Sequence, residues 1–257
     1  MSGTSSVEIA RQTTDASTLA VFQRDWALYR KMVDNNFLFH REAYARLRDF
    51  LLGEFAKPFR FVDIACGDAD ASVEALRGTQ ATAYRGTDFS VPALQLARQA
   101  VGRLSCPATL EHSDFLESVG GKPNSADIIW IGLSLHHLRT PDKRAFMRKV
   151  RGDLADGGAF LIYENASPDG EDREGWMRRW DLQRPLWTAY SDEEFEAITR
   201  HVHRADFPET DASWRALGMD SGFSSVRELY GAPSNLFRLY CFAGRVIARR
   251  RPRASRR

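Results

Sequence analysis

Apolar positions along the chain fall into two successive rhythms. Between Thr18 and Phe55 the period is helical. Leu19, Phe22, Trp26 and Tyr29 recur at three- and four-residue steps, and Phe37, Tyr44, Leu47 and Leu51 continue the stripe until Gly53 and the Lys57-Pro58 pair end it. From Phe59 the rhythm changes to short apolar runs separated by helical stretches. Phe59–Ile64 reads as a strand, Ala69–Leu76 as a helix stopped by Gly78, and Thr82–Thr87 as a second strand. Val91–Leu104 is a helix with Pro92 in its first turn, where a missing N–H does no harm. Thr109–His112 is a weak third strand, whereas Ala126–Gly132 is apolar enough to be a strand covered on both faces. Pro141–Leu154 puts Asp142 early and Arg148, Lys149 and Arg151 late, as a helix dipole favours. Asp156-Gly157-Gly158 reads as a turn and Ala159–Tyr163 as a fifth strand. This alternation predicts an α/β fold with a mainly parallel sheet between helices.

The alternation stops at Glu164. From there to about Met219 the pattern predicts helices rich in Trp, Arg and acids, with no clear strand. Phe223–Tyr230 and Leu236–Phe242 then read as two strands joined around Gly231-Ala232-Pro233. The 257 residues suit one sizeable domain with elaborations, and 43% hydrophobic residues are enough to build its core. The expected organisation is an N-terminal tail and helical cap (1–56), a main domain (57–248) with a helical insertion at about 165–220, and a basic tail (249–257).

No apolar run approaches the roughly 20 residues of a membrane span, and Met1–Ser6 is small and polar, unlike a secretory leader. Cys66, Cys106 and Cys241 are odd in number and lack CxxC spacing, which argues against a disulfide framework or a zinc site. The expected compartment is the cytoplasm. The formal net charge of +2 hides an asymmetry, because the tail Arg249–Arg257 holds six arginines and no acid, leaving the rest of the chain at −4. A body of that sign is a poor platform for nucleic acid. The tail reads as a solvated end.

The first strand runs into Asp63-Ile64-Ala65-Cys66-Gly67-Asp68-Ala69, a small-residue turn at the place where open α/β sheets bind ligands. Asp88, 21 residues beyond Gly67, ends the second strand, where an acid can accept hydrogen bonds from ribose hydroxyls. By spacing alone this pair signals NAD as well as it signals S-adenosylmethionine.

Five segments in order carry a family resemblance: Val62–Ala69, Gly86-Thr87-Asp88-Phe89-Ser90, His112-Ser113-Asp114-Phe115, Asp127–Leu138 with its Leu-His-His-Leu ending, and Leu154-Ala155-Asp156-Gly157-Gly158. Over Arg60–Glu164, and more loosely at the C-terminus, the chain resembles the class I S-adenosylmethionine-dependent methyltransferases, especially the bacterial small-molecule type. The resemblance implies a Rossmann-like, mainly parallel seven-stranded sheet of order 3-2-1-4-5-7-6 with the last strand antiparallel. Helices would cover both faces, with an N-terminal helical cap and a helical insertion after strand 5. It implies that Asp63 orients the methionine amino group and that Ala65, Cys66 and Gly67 bring backbone to the methionine portion. Asp88 would take the ribose, Phe89 would pack on adenine, Asp114 would accept from the adenine amino group beside Phe115, and Gly132 and Leu133 would line the sulfonium end. S-adenosyl-L-methionine would be the cofactor and S-adenosyl-L-homocysteine its product. Plainer roles exist: Asp88 can cap the next helix with Ser90, and Phe89 and Phe115 can be core.

The family's Gly-x-Gly-x-Gly is here Ala65-Cys66-Gly67-Asp68-Ala69. Alanine disfavours positive φ, so the turn is expected to use ordinary dihedrals at 65 and 69. Cys66 reads as structural, not nucleophilic.

His136 and His137, just past the fourth strand, are candidate catalytic groups, because histidine suits proton transfer near neutral pH. One of the two is expected to hold the loop. Glu164, at the end of the fifth strand, is a third candidate. The stretch His201–Thr210 is distinctive, with His201, His203, Asp206 and Glu209. It reads as a helix end with a Pro turn or as a substrate lid, and no metal is assigned because residues two apart on a helix diverge. Trp26 and Tyr29 before the sheet, with Trp176, Trp180, Trp187, Tyr190 and Trp214 after it, read mainly as buried helical layers. Trp26, Tyr29, His201 and His203 are kept as candidate substrate contacts.

The resulting expectation is a methyltransferase acting on a small molecule in specialised metabolism, as monomer or homodimer, with no nucleic-acid or membrane partner. Three other readings stay open. One is a non-methylating use of the same cofactor, by cyclisation or another group transfer. The others are an RNA methyltransferase steered by the tail and a cofactor-binding scaffold without turnover.

Overall fold

The computed structural model describes residues 28–244. Trp26, the start of the N-terminal helical stretch and the basic tail 249–257 lie outside them. Residues 28–34 are helical, and a turn with left-handed Asn36 and Phe39 leads into α1 (His40–Asp49), which ends in a wider π-type turn over Phe50–Glu54. Then follow β1 (Phe59–Ile64), α2 (Asp70–Leu76), β2 (Ala81–Asp88), α3 (Val91–Val101), β3 (Ala108–His112), β4 (Ala126–Gly132), α4 (Thr140–Asp153) and β5 (Leu154–Ser167). The chain continues through α5 (Arg173–Asp181), α6 (Asp192–Ala205), β6 (Glu209–Thr210), α7 (Asp211–Asp220), β7 (Ser225–Gly231) and β8 (Phe237–Ala243).

The sheet order is β3-β2-β1-β4-β5-β8-β7, with β6 a two-residue addition beside the end of β5. Neighbours are parallel except β8, which is antiparallel to both β5 and β7. Setting β6 aside, this is the expected seven-stranded arrangement with one reversed strand.

Alternation along the strands builds two cores, because successive side chains of a strand point to opposite faces. Phe59, Phe61, Ile128, Trp130, Leu161 and Tyr163 pack on one face with Leu47, Phe50 and Val73. Val62, Ile64, Ile129, Ile131, Phe160 and Ile162 pack on the other with Phe146, Val150 and Trp214. The central stretches of β1, β4 and β5 are therefore apolar on both faces, with Asp63 of β1 a buried exception.

Two expectations about β5 change. The Asp156-Gly157-Gly158 turn is a bulge inside a longer strand: Ala126 pairs with Leu154, yet Ile128 pairs with Ala159. A Cβ at Gly158 would sit 2.8 Å from the Asp127 carbonyl oxygen, so only glycine lets the bulge close against β4. The strand also runs past Glu164, where helix was expected, to Ser167. Asn165 pairs there with Phe237, and Ala166 and Ser167 pair with β6. This extension carries Glu164 and Asn165 to the carboxyl end of the sheet. β1 and β4 are neighbours there although their connections leave in opposite directions, the position where such sheets form a crevice.

Candidate active site

A cavity of about 310 Å³ opens at this crevice. Its floor is the turn after β1, held by backbone hydrogen bonds. The Cys66 N–H donates to the Thr87 carbonyl at 3.0 Å, Ala69 N–H to the Cys66 carbonyl at 2.9 Å, and Gly67 N–H to the Asp88 carboxylate at 2.9 Å. The expectation of ordinary dihedrals is overturned: Ala65 has φ 52°, Gly67 φ 56° and Ala69 φ 59°. A left-handed non-glycine residue costs about 1–2 kcal/mol, and the hydrogen bonds to β2 fix the turn despite it. Across the crevice Leu133 is also left-handed (φ 50°). Two left-handed non-glycine residues, Ala65 and Leu133, thus line the cavity.

Asp63 lies beneath this floor, 1% exposed and outside the cavity lining, and it accepts a hydrogen bond from the Tyr84 hydroxyl at 2.8 Å. Burial, partly offset by that bond, raises its pKa to about 7. Asp88 lines the cavity and accepts from Ser90 N–H at 2.8 Å as well as from Gly67, and burial lifts its pKa too. The Ser90 hydroxyl caps α3 through Ala93 N–H, so the capping role falls to Ser90 while Asp88 faces the crevice. Phe89, Asp114 and Phe115 complete this wall, and Asp114 also accepts from Leu116 N–H at 2.8 Å. Cys66 does not line the cavity, and burial pushes its thiol well above the ordinary value, as a structural cysteine requires.

The opposite wall comes from distant parts of the chain. Glu164, 0% exposed, accepts from Ser134 N–H at 2.7 Å and Leu135 N–H at 2.6 Å, and its second oxygen meets His136 Nδ1 at 2.8 Å. It thereby fixes the 3₁₀ turn Leu135–His137. Glu164 itself does not line the cavity, so its direct contact with a ligand gives way to positioning His136. Burial opposes charge on His136, but the Asp206 and Glu164 carboxylates outweigh it and hold its pKa above the ordinary value. His137 does line the cavity. Burial and its neighbours His136 and His201 push its pKa well below the ordinary range.

Asp206 is the residue that sequence reasoning underused. It is 4% exposed and lines the cavity, 3.5 Å from His137 Nδ1 and 3.8 Å from His136 Nε2. Asn165 Nδ2 donates to it at 2.9 Å. Backbone locks this segment to the turn, since Phe207 N–H donates to the His136 carbonyl at 2.7 Å. Its only prior signal was membership of the His201–Thr210 stretch. The two histidines of that stretch separate. His201 faces the cavity edge-on to His137, with ring centres 5.7 Å apart. His203 points away, its Nε2 2.9 Å from Asp181 on the surface, and drops out as a substrate contact.

Tyr29, Met32, Leu38, Trp180, Ile198 and Val202 roof the cavity. Lys31 Nζ meets Glu194 at 2.6 Å, the Tyr190 hydroxyl donates to the Leu28 carbonyl, and Phe37 stacks on Trp187 at 5.1 Å. These contacts join the N-terminal helical segment to α6. Trp176, Trp187 and Trp214 are buried in the layers beneath, whereas Trp180 reaches the cavity.

The NAD ambiguity closes on charge. The described lining contains Asp88, Asp114 and Asp206 and no Lys or Arg. Asp68 and Asp70 stand at the start of α2. A pyrophosphate is repelled by such a site, whereas a group carrying a sulfonium and an ammonium is attracted. Beyond Gly67 a Cβ would meet nothing within 4 Å, which leaves room for close approach.

The sheet order and this acid-lined crevice are those of the class I S-adenosylmethionine-dependent methyltransferase fold, which the chain resembles. Residues 61–158 match the sequence model of a methyltransferase domain. Among similar proteins is the demethylmenaquinone methyltransferase of Lactiplantibacillus plantarum, 27% identical over 132 residues, which are half of this chain and half of that protein. Another is carboxy-S-adenosyl-L-methionine synthase 1 of Yersinia pseudotuberculosis, 23% identical over 178 residues, covering 67% of this chain and 73% of that one. Among solved structures, an S-adenosylmethionine-dependent methyltransferase from Leishmania major superposes with TM-score 0.55 at 17% identity, covering 79% of this chain and 72% of that one. No helix among the described residues is long and apolar enough to cross a membrane.

Proposed function

We propose that the protein methylates a small, largely apolar molecule at a hydroxyl or amine. The observation that carries this reading is one cavity with two unlike ends. Asp88 and the Ala65–Gly67 turn form one end, His137 and Asp206 the other, and an apolar roof lies between. Bound S-adenosylmethionine supplies an electrophilic methyl group. Asp88 would hold the ribose, Phe89, Asp114 and Phe115 the adenine, and Asp63, through the floor, the methionine ammonium. Leu133 and Gly132 would stand beside the reacting centre. The acceptor's nucleophilic atom would be aligned by His137 and Asp206, because in-line displacement depends mainly on orientation. The proton lost by the acceptor would pass to the Asp206 carboxylate at the polar end, whose Oδ1 accepts no hydrogen bond within the protein.

The absence of Lys and Arg from the described lining supports a neutral or cationic acceptor over a phosphate-bearing one, and so a small molecule over RNA. Calorimetry with S-adenosylhomocysteine, followed by methyl transfer to a panel of apolar phenols, alcohols and amines, tests the reading. Failure to bind S-adenosylhomocysteine would sink it. A cofactor-derived product other than S-adenosylhomocysteine would replace it with the group-transfer alternative.

A further inference from the structure

His136, His137 and Asp206 each offer a ligand atom, all within 4.8 Å of one another. We propose that they form a binding site for a divalent first-row transition-metal ion at the acceptor end of the cavity.

Charge and lone pairs make the case. Glu164 Oε2 can only accept from His136, so His136 Nδ1 carries the hydrogen. In the neutral ring, Nε2 then presents a lone pair toward Asp206 Oδ2, 3.8 Å away. That separation is too long for a hydrogen bond, so neither group satisfies the other directly. The other oxygen of Asp206 is buried and accepts no hydrogen bond; His137 Nδ1 lies 3.5 Å from it and 3.4 Å from the Ala205 carbonyl, a partner that a bound ion would replace. Ligands about 2.1 Å from a shared tetrahedral ion stand about 3.4 Å apart, close to both separations. Glu164 and Asp206 bring two negative charges, while the nearby Lys143 is already paired with Glu209 at 2.9 Å. A divalent cation neutralises the pair with both histidines uncharged.

The surroundings are those of a built site. Glu164 fixes the ring and tautomer of His136, as carboxylates do behind metal-bound histidines. Asn165 orients Asp206, and the Phe207–His136 backbone bond fixes the spacing between the two segments. Two imidazoles and one carboxylate suit zinc, iron, cobalt or manganese better than magnesium or calcium. Three protein ligands leave coordination positions open, and His137 and Asp206 line the cavity. If the methyl-transfer reading holds, an acceptor oxygen bound there would be more acidic and already oriented. That consequence rests on the proposed function, whereas the metal site itself does not.

The test uses the full chain, stripped with chelator and titrated with Co²⁺, with S-adenosylhomocysteine affinity measured on the same samples. The expected result is saturable one-to-one uptake with the visible bands of a low-coordinate cobalt site, displaced by Zn²⁺. Asp206→Asn should abolish it, and Glu164→Gln should weaken it by about 10–100-fold through His136. His203→Ala, which removes a surface histidine, should leave it unchanged. Circular dichroism reports whether each variant is folded. Wild-type protein without saturable uptake overturns the proposal, as does uptake equal in wild type and folded Asp206→Asn. Cobalt uptake without S-adenosylhomocysteine binding keeps the metal site and removes the methyl-transfer reading. The reverse result removes the metal site alone.

Discussion

The two walls of the cleft are built by opposite means. The proposed cofactor wall is made of contiguous segments: the β1 turn, the end of β2, and Asp114-Phe115 after β3. Much of its chemistry is backbone held in left-handed conformations. The proposed acceptor wall is made of side chains collected from afar, with Glu164 28 residues from His136 and Asp206 69–70 residues from the histidine pair. The first wall can therefore be damaged locally without disturbing the second, and the difference teaches where each kind of mutation should register.

The sharpest separation is His137→Ala. It should lower kcat by about 10²–10⁴-fold while S-adenosylhomocysteine affinity, read by calorimetry, stays nearly unchanged. A parallel fall in affinity would mean that the walls are not independent. Asp88→Ala should do the converse, weakening S-adenosylhomocysteine by about 100-fold or more, since it loses charged hydrogen bonds worth about 3 kcal/mol or more.

Asp63 adds a pH dependence to the cofactor wall alone. Its pKa is raised by burial to about 7, above the unfolded carboxyl value. The stabilisation from its neutral form is therefore complete below about pH 4 and is lost as pH rises through about 7. Relative to Asp63→Asn, the free wild-type protein should lose a few kcal/mol between pH 4 and 8, checked by urea unfolding at both ends. An ammonium bound above Asp63 favours the ionised form, so S-adenosylmethionine affinity should rise with pH up to about 7 in wild type and stay flat in Asp63→Asn.

Smaller effects follow. Ala65→Gly and Ala69→Gly should each stabilise by about 0.5–1 kcal/mol, because relief of left-handed strain exceeds the added flexibility of the unfolded chain. A drop in melting temperature would show that the methyl groups pack usefully. Lys31→Ala should cost under about 1 kcal/mol, since its pair with Glu194 is partly exposed, and less still in high salt.

The same contrast explains what could be read in advance. Sheet order, and the segments that would line the cofactor side, are legible because each motif is local: a strand, a turn and an acid at fixed spacing. The acceptor wall is not. His136 and His137 stood out, but nothing in sequence pairs them with Asp206, and Asn165 was hidden by the expectation that β5 ends at Tyr163. The conformation of Ala65 and Ala69 was misjudged because intrinsic preference was weighed without the hydrogen bonds from Cys66, Gly67 and Ala69 that override it. His203 was misplaced for a simpler reason: two residues beyond His201, it sits on the far side of the same helix.

Phe207 has a mechanical consequence. Both its backbone groups are engaged, with His136 and Lys143, and its ring lies between the guanidinium groups of Arg139 and Arg173, at 4.2 and 5.2 Å. The C-terminal end of α6 is thus bolted to the turn after β4 and to α4, whereas near its other end Phe195 packs on Trp187, Arg184 pairs with Asp192 and Lys31 with Glu194. Fourteen residues of helix make a rigid arm about 20 Å long. Asp206 follows the bolted end of that arm, and Glu194 stands near the far one. The polar corner of His136 and Asp206 thus rests on a segment held by backbone as well as by side chains.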